Sequence, residues 1–384
     1  MKLKNIYIYH LKSKKKFSDS PVPTFFKQGF TFIVIGTDDY ISGYGEPSPY
    51  IDTPKKLIKL IEKIFVKYFQ NKDLNQINLS SLKKKLKKNS EIKILSSFDQ
   101  AILDIKAKEK KISVASLISN SQIKKNQISF YASGGMINEN QRYEDMIEKV
   151  LELKETGYSG FKFRPMMPVT NLTHSQRIKN PPGFDSKKLA NFSNYLRQKV
   201  GDDFKLMIDF GCRCKVNKET KYLFDALYNE KFYFIEEPFK RSLKSYQKLS
   251  ELSKVKIAMG EHIYDHRIFL EWKKKNLISF FQPDSNLLLF DELKFISDKM
   301  NKSQLIIHNW CNQINLCSNL SFALSLNKPL MIEKNILENP YNKYFNVYNF
   351  DIKKGKLSFK NNLGLGVEFT KKKSNSLDIY EKKV

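Results

Sequence analysis

Apolar and polar positions alternate near the front of the chain, where Ile6 and Ile8 interleave with Tyr7 and Tyr9 at the period of a half-buried strand. This pattern predicts strands over 2–10 and 28–36, joined by a proline-containing loop at 17–27, with Tyr44-Gly45-Glu46 closing the sheet. Thr53-Pro54 is a helix-start signal. The spacing behind it predicts helices over 55–69, 81–88 and 96–110, the last carrying Phe98, Ile102 and Ile105 at helical spacing. From Ile128 the texture changes to short apolar runs at 129–132, 160–164, 205–209, 233–236, 257–260, 280–282, 304–307 and 330–332. Amphipathic stretches separate them, at 141–154, 185–199, 218–229, 243–252, 265–275, 291–300 and 314–326. Strands alternating with crossover helices form a parallel sheet, and eight is the number that closes an α/β barrel.

A chain of 384 residues exceeds what one core usually supports, so two unequal domains are expected. The boundaries follow the change of texture: an α+β capping module over 1–125 and a barrel over 126–337. The segment 338–384, loop plus hairpin around Asn362-Leu363-Gly364-Leu365-Gly366, is expected to return to the first module. A long insertion, 165–184, follows the second barrel strand.

Composition narrows the function classes. No uninterrupted apolar stretch approaches the ~20 residues of a bilayer crossing, and the first residues lack the apolar core and cleavage site of an export signal. A cytoplasmic protein without a membrane partner is expected. The formal charge of +27 raises the possibility of nucleic acid. However, only positions 142, 164, 177, 197, 213, 241 and 267 are arginine, and the lysines spread over helical faces such as 81–89. That distribution is a compositional bias, so no nucleic-acid partner is expected. Cys212, Cys214, Cys311 and Cys317 have no second paired spacing for a zinc site or a disulfide framework, and no role is assigned to them.

The polar residues that end the apolar runs carry the chemistry. Lys162 and Arg164 end the second run, Asp209 the third, Glu236-Glu237 the fourth and Glu261 the fifth, followed by Asp284, His308 and Glu333. From Asp209 onward the steps are 27, 25, 23, 24 and 25 residues, one strand–helix unit each. The C-terminal rim of such a barrel is where chemistry is placed. Three carboxylates converging there repel unless a cation sits among them, and all-oxygen ligation selects a hard ion such as Mg2+. Asp209, Glu236 and Glu261 are the candidate ligands. Glu237, one residue out of phase with Glu236, should point away from the metal.

The series Lys162-Phe163-Arg164, Ile208-Asp209, Ile235-Glu236-Glu237-Pro238, Gly260-Glu261, Pro283-Asp284, Ile307-His308 and Ile332-Glu333 resembles the enolase superfamily, specifically its mandelate racemase subgroup. Gly43-Tyr44-Gly45-Glu46 in front and Gly364-Leu365-Gly366-Val367-Glu368 behind extend the resemblance over most of the chain. It implies an N-terminal capping domain completed by the C-terminal tail, a modified (β/α)7β barrel, one Mg2+ per site and proton abstraction α to a metal-bound carboxylate. By the same match Asp284 and His308 form the catalytic dyad and Glu333 is a hydrogen-bonding acid; a homo-oligomer is also implied. Elementary chemistry agrees with these roles. Lys162 suits electrophilic stabilisation of an enediolate. His308 has the pKa range of a general base, oriented by Asp284. Glu333, if protonated, would donate to the substrate carboxylate.

Two-base members of the subgroup carry a second lysine where this chain has Arg164. A guanidinium is a poor base and a good carboxylate binder. With His308 as the single evident base, the expectation is an acid-sugar dehydratase yielding a 2-keto-3-deoxy acid. A racemase or epimerase is the enzymatic alternative. A basic nucleic-acid-binding or scaffold protein is the non-enzymatic one, against which the retained charged set argues. Arg164, Arg213, Asn309 and Trp310 are candidate substrate contacts. The loops 17–26 and 165–184, the latter with His174, Arg177 and Pro181-Pro182-Gly183, are expected to close over the site, His174 being read as exposed.

Overall fold

The computed structural model describes residues 1–14, 29–49, 51–119, 123, 127–138, 144–167, 185–300, 304–326, 331–348, 350–353, 356–359, 363–371 and 377–384. Both expected lid loops lie outside these residues except for 165–167. Among the described residues no helix is long and apolar enough to cross a membrane.

The first three strands, β1 (Leu3–Ser13), β2 (Phe30–Thr37) and β3 (Ser42–Gly45), form an antiparallel sheet. The last strand of the chain, here β15 (Leu377–Lys383), pairs with β1 on its other edge. Alternation works as expected: Ile6 and Ile8 are fully buried, and helix α1 (Pro54–Tyr68) contributes Ile61 and Phe65 to the same core. Helix α2 (Leu79–Lys85) follows, then α3 (Asn89–Glu109), which begins seven residues earlier than the sequence pattern predicts. The added turns, 89–95, bury Glu91 beside Ile94 and Leu95, and the buried polar face they begin continues through Ser96, Asp99, Gln100 and Asp104. An apolar-periodicity count does not register such a face. The apolar side, with Phe98 and Ile102, faces the capping core.

Two glycines set how closely α3 approaches the sheet. A Cβ at Gly45 would stand 1.9 Å from the Ser97 carbonyl oxygen, and one at Gly43 would stand 2.1 Å from that of Ala101. Gly45→Ala is therefore expected to destabilise the protein by about 1–3 kcal/mol, as overpacking does. Urea unfolding reads this directly, and an unchanged midpoint would refute it.

After α4 (Val114–Ile118), the barrel strands are β4 (Gln127–Asn138), β5 (Gly160–Met167), β6 (Lys205–Asp209), β7 (Phe234–Glu236), β8 (Ile257–Met259), β9 (Phe280–Phe281) and β10 (Ile332–Asn335). Each of β4 to β8 pairs in parallel with the next, and β10 pairs in parallel with β4. The run at 304–307 is too short for a full ladder. Its Leu305 bridges Phe281 and its Ile307 bridges Ile332, which closes the ring. The intervening helices are α5 (Glu144–Glu155), α6 (Ser186–Val200), α7 (Lys218–Asn229), α8 (Leu243–Leu252), α9 (His266–Lys275), α10 (Phe290–Lys299) and α11 (Gln313–Ser325). This order is the (β/α)7β pattern, a modified barrel with an N-terminal capping sheet.

Two expected elements shift. The eighth strand lies at Ile332–Asn335 rather than 330–332, so Glu333 sits within the strand. The hairpin expected around 362–366 is instead formed by β12 (Phe350–Lys353) and β13 (Lys356–Phe359), after a short strand β11 (Phe345–Val347). It extends the barrel sheet, β13 pairing with the start of β4. Strand β14 (Val367–Phe369) pairs with β11. Gly364 bridges Ser113, and the Leu365 amide donates to Asp104, so a buried acid of α3 secures this turn.

Within the barrel, side chains two apart on a strand share a face. Met207, Phe234, Ala258, Phe280 and Ile306 form an apolar plug with Tyr131. One step further toward the C-terminal rim stand Asp209, Glu236, Gln282 and His308, so the plug is the floor of a polar layer.

Candidate active site

Asp209, Glu236 and Glu261 each present an oxygen such that the three atoms lie within 4.8 Å of one another, all on buried residues. Asp209 and Glu236 end adjacent strands and are register partners. Glu261 lies two residues beyond β8, on the neighbouring rim, after Gly260 at φ +136°. At Gly260 a Cβ would approach the Gln282 amide nitrogen to 3.0 Å and the Phe269 ring to 2.8 Å, so both conformation and space require glycine.

Partners occupy most of the remaining carboxylate oxygens. Lys162 Nζ bridges Glu236 at 2.6 Å and Glu333 at 2.8 Å. Arg164 Nε donates to Asp209 Oδ2 at 2.5 Å, and the Gly211 amide donates to Oδ1 at 2.8 Å. His262 and His308 reach the two oxygens of Glu261 at 3.1 and 3.2 Å. Asp209, Glu236, Glu261, Asp284 and Glu333 still outnumber the basic groups touching them, Lys162, Arg164, His262 and His308. Glu236 Oε1 is buried with no hydrogen-bond partner among the described residues. An orphaned buried carboxylate oxygen beside two further acids fits a hard divalent cation.

His308 Nδ1 meets Asp284 Oδ2 at 2.6 Å, and its Nε2 stands 3.7 Å from Glu333. The other Asp284 oxygen accepts from the Asn286 amide and from the side chains of Asn315 and Asn319, at 3.0, 3.0 and 3.1 Å. Burial works against a charged imidazole, but Glu333, Asp284 and Glu261 outweigh it and hold the His308 pKa well above its ordinary value. Burial likewise opposes the charge on Lys162, and Glu236 and Glu333 overcome it, so this amine stays protonated as a donor. For Glu236, burial dominates and the pKa rises well above the carboxylate range, Lys162 countering and Asp209, Glu261 and Glu333 adding to it.

The remaining candidates take more peripheral places. The Arg164 guanidinium lies 5.9 Å from the Trp310 ring centroid. The Asn309 side-chain oxygen accepts from Asn319, and its amide donates to Glu333 at 3.4 Å. Arg213 is buried and folds back over Gly211. Glu237 points away from the three acids, as the alternation predicts, gripped by Arg241 through both oxygens. His174 and Arg177 lie outside the described residues. All four cysteines are buried and unpaired.

Several participants escaped the sequence reading. Gln282 donates to Glu236 at 2.7 Å. Its position two residues before Asp284 on the same strand face was the available signal. Asn315 and Asn319 of α11 continue, at spacings of three and four, a polar stripe that starts at the N-cap Asn312. Glu46 of the capping module accepts from the backbone of Asn312 and Asn315 at 2.9 and 3.0 Å. Burial raises its pKa to about 7, while these hydrogen bonds act in the opposite sense.

Comparison with known proteins agrees with the geometry. The enolase C-terminal domain-like family matches residues 145–373, and the mandelate racemase/muconate lactonizing enzyme N-terminal domain matches residues 8–119. A D-gluconate dehydratase from Thermoproteus tenax is 26% identical over 194 residues, a stretch covering 50% of this chain but only 36% of that protein. The 3,6-anhydro-D-galactonate cycloisomerase from Zobellia galactanivorans superposes with a TM-score of 0.75 at 22% identity, over 96% of this chain and 97% of the other. A mandelate racemase/muconate lactonizing enzyme from a Sulfitobacter species gives 0.79 at 18% identity, over 96% and 93%. At these identities the solved structures establish the fold alone, and the two family matches decide the assignment: the chain belongs to the enolase superfamily, in its mandelate racemase/muconate lactonizing enzyme branch.

Proposed function

We propose that this protein is a magnesium-dependent acid-sugar dehydratase in which His308 is the only general base. The observation that carries this reading is the asymmetry of the site: an Asp284-oriented imidazole on one side, and a guanidinium, Arg164, where a second base would be needed for racemisation. The partial match to a D-gluconate dehydratase supports dehydration.

Asp209, Glu236 and Glu261 would hold the cation, which supplies positive charge against the negative charge that develops on the substrate carboxylate. Lys162, kept protonated by Glu236 and Glu333, donates to the same developing charge. The raised pKa of His308 makes its deprotonated form a strong base, and that form takes the proton from C2 on Nε2, the electron pair left behind forming the enediolate. The C3–O bond then breaks, and the hydroxide leaves as water with a proton from His308. Tautomerisation of the enol gives the 2-keto-3-deoxy acid. Asp284 holds the ring through Nδ1 so that Nε2 faces the substrate. Glu261, which stands 3.2 Å from Nε2, would be among the residues holding the cation. Arg164, beside Trp310, binds a carboxylate or hydroxyl and takes no proton.

Incubation with Mg2+ and a library of mono- and diacid sugars, with detection of 2-keto-3-deoxy products, tests the reading. Product from one sugar acid is the expected result. Deuterium entering unreacted substrate from both epimers, with no keto acid formed, would replace dehydration by epimerisation.

The raised pKa of Glu236 has a consequence for metal binding. Burial opposes the ionised carboxylate that the cation requires, so Glu236 takes up a proton more readily than an ordinary carboxylate does. Mg2+ affinity is therefore expected to fall as pH is lowered, with proton release on binding. Calorimetry in buffers of different ionisation enthalpy measures both quantities, and pH-independent binding without proton release would contradict the assignment.

A further inference from the structure

The capping module reaches the proposed base through one continuous chain of buried side-chain amides. The Glu46 amide nitrogen donates to Gln100 Oε1 at 2.8 Å, which fixes the orientation of the Gln100 amide group, because only its oxygen can accept. Gln100 Nε2 consequently faces the barrel, donating to the Ser285 carbonyl at 2.9 Å and to Asn315 Oδ1 at 3.3 Å. Asn315 Oδ1 also accepts from the Ser285 hydroxyl at 3.1 Å. With its oxygen committed to these donors, Asn315 must turn its Nδ2 to Asp284 Oδ1, 3.0 Å away. Asp284 Oδ2 in turn meets His308 Nδ1. Gln100, Ser285 and Asn315 are fully inaccessible and Asp284 nearly so, so the chain of hydrogen bonds is shielded from bulk water.

We propose that Gln100 is a positioning residue for the His308–Asp284 pair, acting through Asn315; the inference rests on the reading of His308 as the base. The capping module thus helps to orient the proton-transfer group in addition to covering the barrel mouth. Without the Gln100 donor, the Asn315 amide loses a constraint on its orientation. A rotated amide would present its oxygen to the Asp284 carboxylate, and the acid would move or change its grip on the ring.

The test uses full-length protein labelled with 15N-histidine, in Mg2+, comparing wild type with Gln100→Leu by NMR. The chain has five histidines, and His308→Asn identifies the resonances of residue 308. Gln100→Leu is expected to shift the His308 ring resonances and leave the other four histidines in place. Asp99→Ala is the reference: Asp99 lies in the same seam, accepting from the Phe290 amide at 2.6 Å, and tests whether loosening the seam has the same effect. If Gln100→Leu does not fold, Gln100→Glu keeps the acceptor for Glu46 and sets an oxygen against Ser285 and Asn315, with the same expected shift. On an acid sugar that the protein turns over, Gln100→Leu should lower kcat about tenfold, the scale of one hydrogen bond, at unchanged KM. Unmoved His308 resonances in the folded Gln100 variant, or an equal shift in Asp99→Ala, would overturn the inference. Failure of every acid sugar would count against the dehydratase reading alone, because the NMR comparison needs no substrate.

Discussion

His308→Asn is expected to lower turnover by about 10²- to 10⁴-fold, the range that a positioned acid–base group contributes, while leaving Mg2+ binding intact. The two effects separate because the ring touches the acidic triad only through Glu261, at 3.2 Å, and supplies none of its carboxylates. Asparagine approximates the ring's bulk and retains a hydrogen-bonding group for Asp284, so the fold should persist. The measurement is turnover of the sugar acid identified in the screen, paired with a Mg2+ titration of the same preparation. Loss of turnover with preserved metal binding supports His308 as the base. A variant that keeps near-normal turnover would move the role to another group, and Lys162 would have to be reconsidered.

Glu236→Gln should cost more, because Glu236 belongs to two arrangements at once. It is the middle member of the acid triad and the partner of Lys162 at 2.6 Å. Even groups that only support a metal ligand contribute 10- to 100-fold in affinity, so loss of the ligand itself is expected to weaken Mg2+ binding by more than about 100-fold and to abolish turnover. A thermodynamic readout accompanies the kinetic one. Mg2+ at about 100 times its Kd should stabilise wild type by about 2.7 kcal/mol, and the variant should gain no more than about 0.4 kcal/mol at the same concentration. Unfolding with and without Mg2+ distinguishes this from simple misfolding. A variant that gains as much stability from Mg2+ as wild type does would place the cation elsewhere.

The fold was legible to different degrees along the chain. The barrel was readable because each strand–helix unit repeats at about the same length and buries apolar residues on the strand. Helix α3 lost its first third, 89–95, because the buried Glu91 breaks the apolar count there; the polar face toward the barrel continues with Ser96, Asp99 and Gln100, bonded to backbone groups at 285–290. The turn at 364–366 looked like part of a hairpin, and Asp104, far away in sequence, decided otherwise.

For the site, the identity of the acids at successive strand ends and the presence of arginine at position 164 were determined by the sequence alone, because side-chain period and strand–helix repeat length are local properties. Tertiary structure decided which donors those acids meet: Gln282 on Glu236, His262 on Glu261, and the asparagines of α11 on Asp284. These contacts join residues that share no local periodicity, and buried polar groups select partners by direction and distance across the packed interior. The link from Glu46 and Gln100 to the proposed base exists only once the capping helix lies against the barrel, which is why no spacing in the chain announces it.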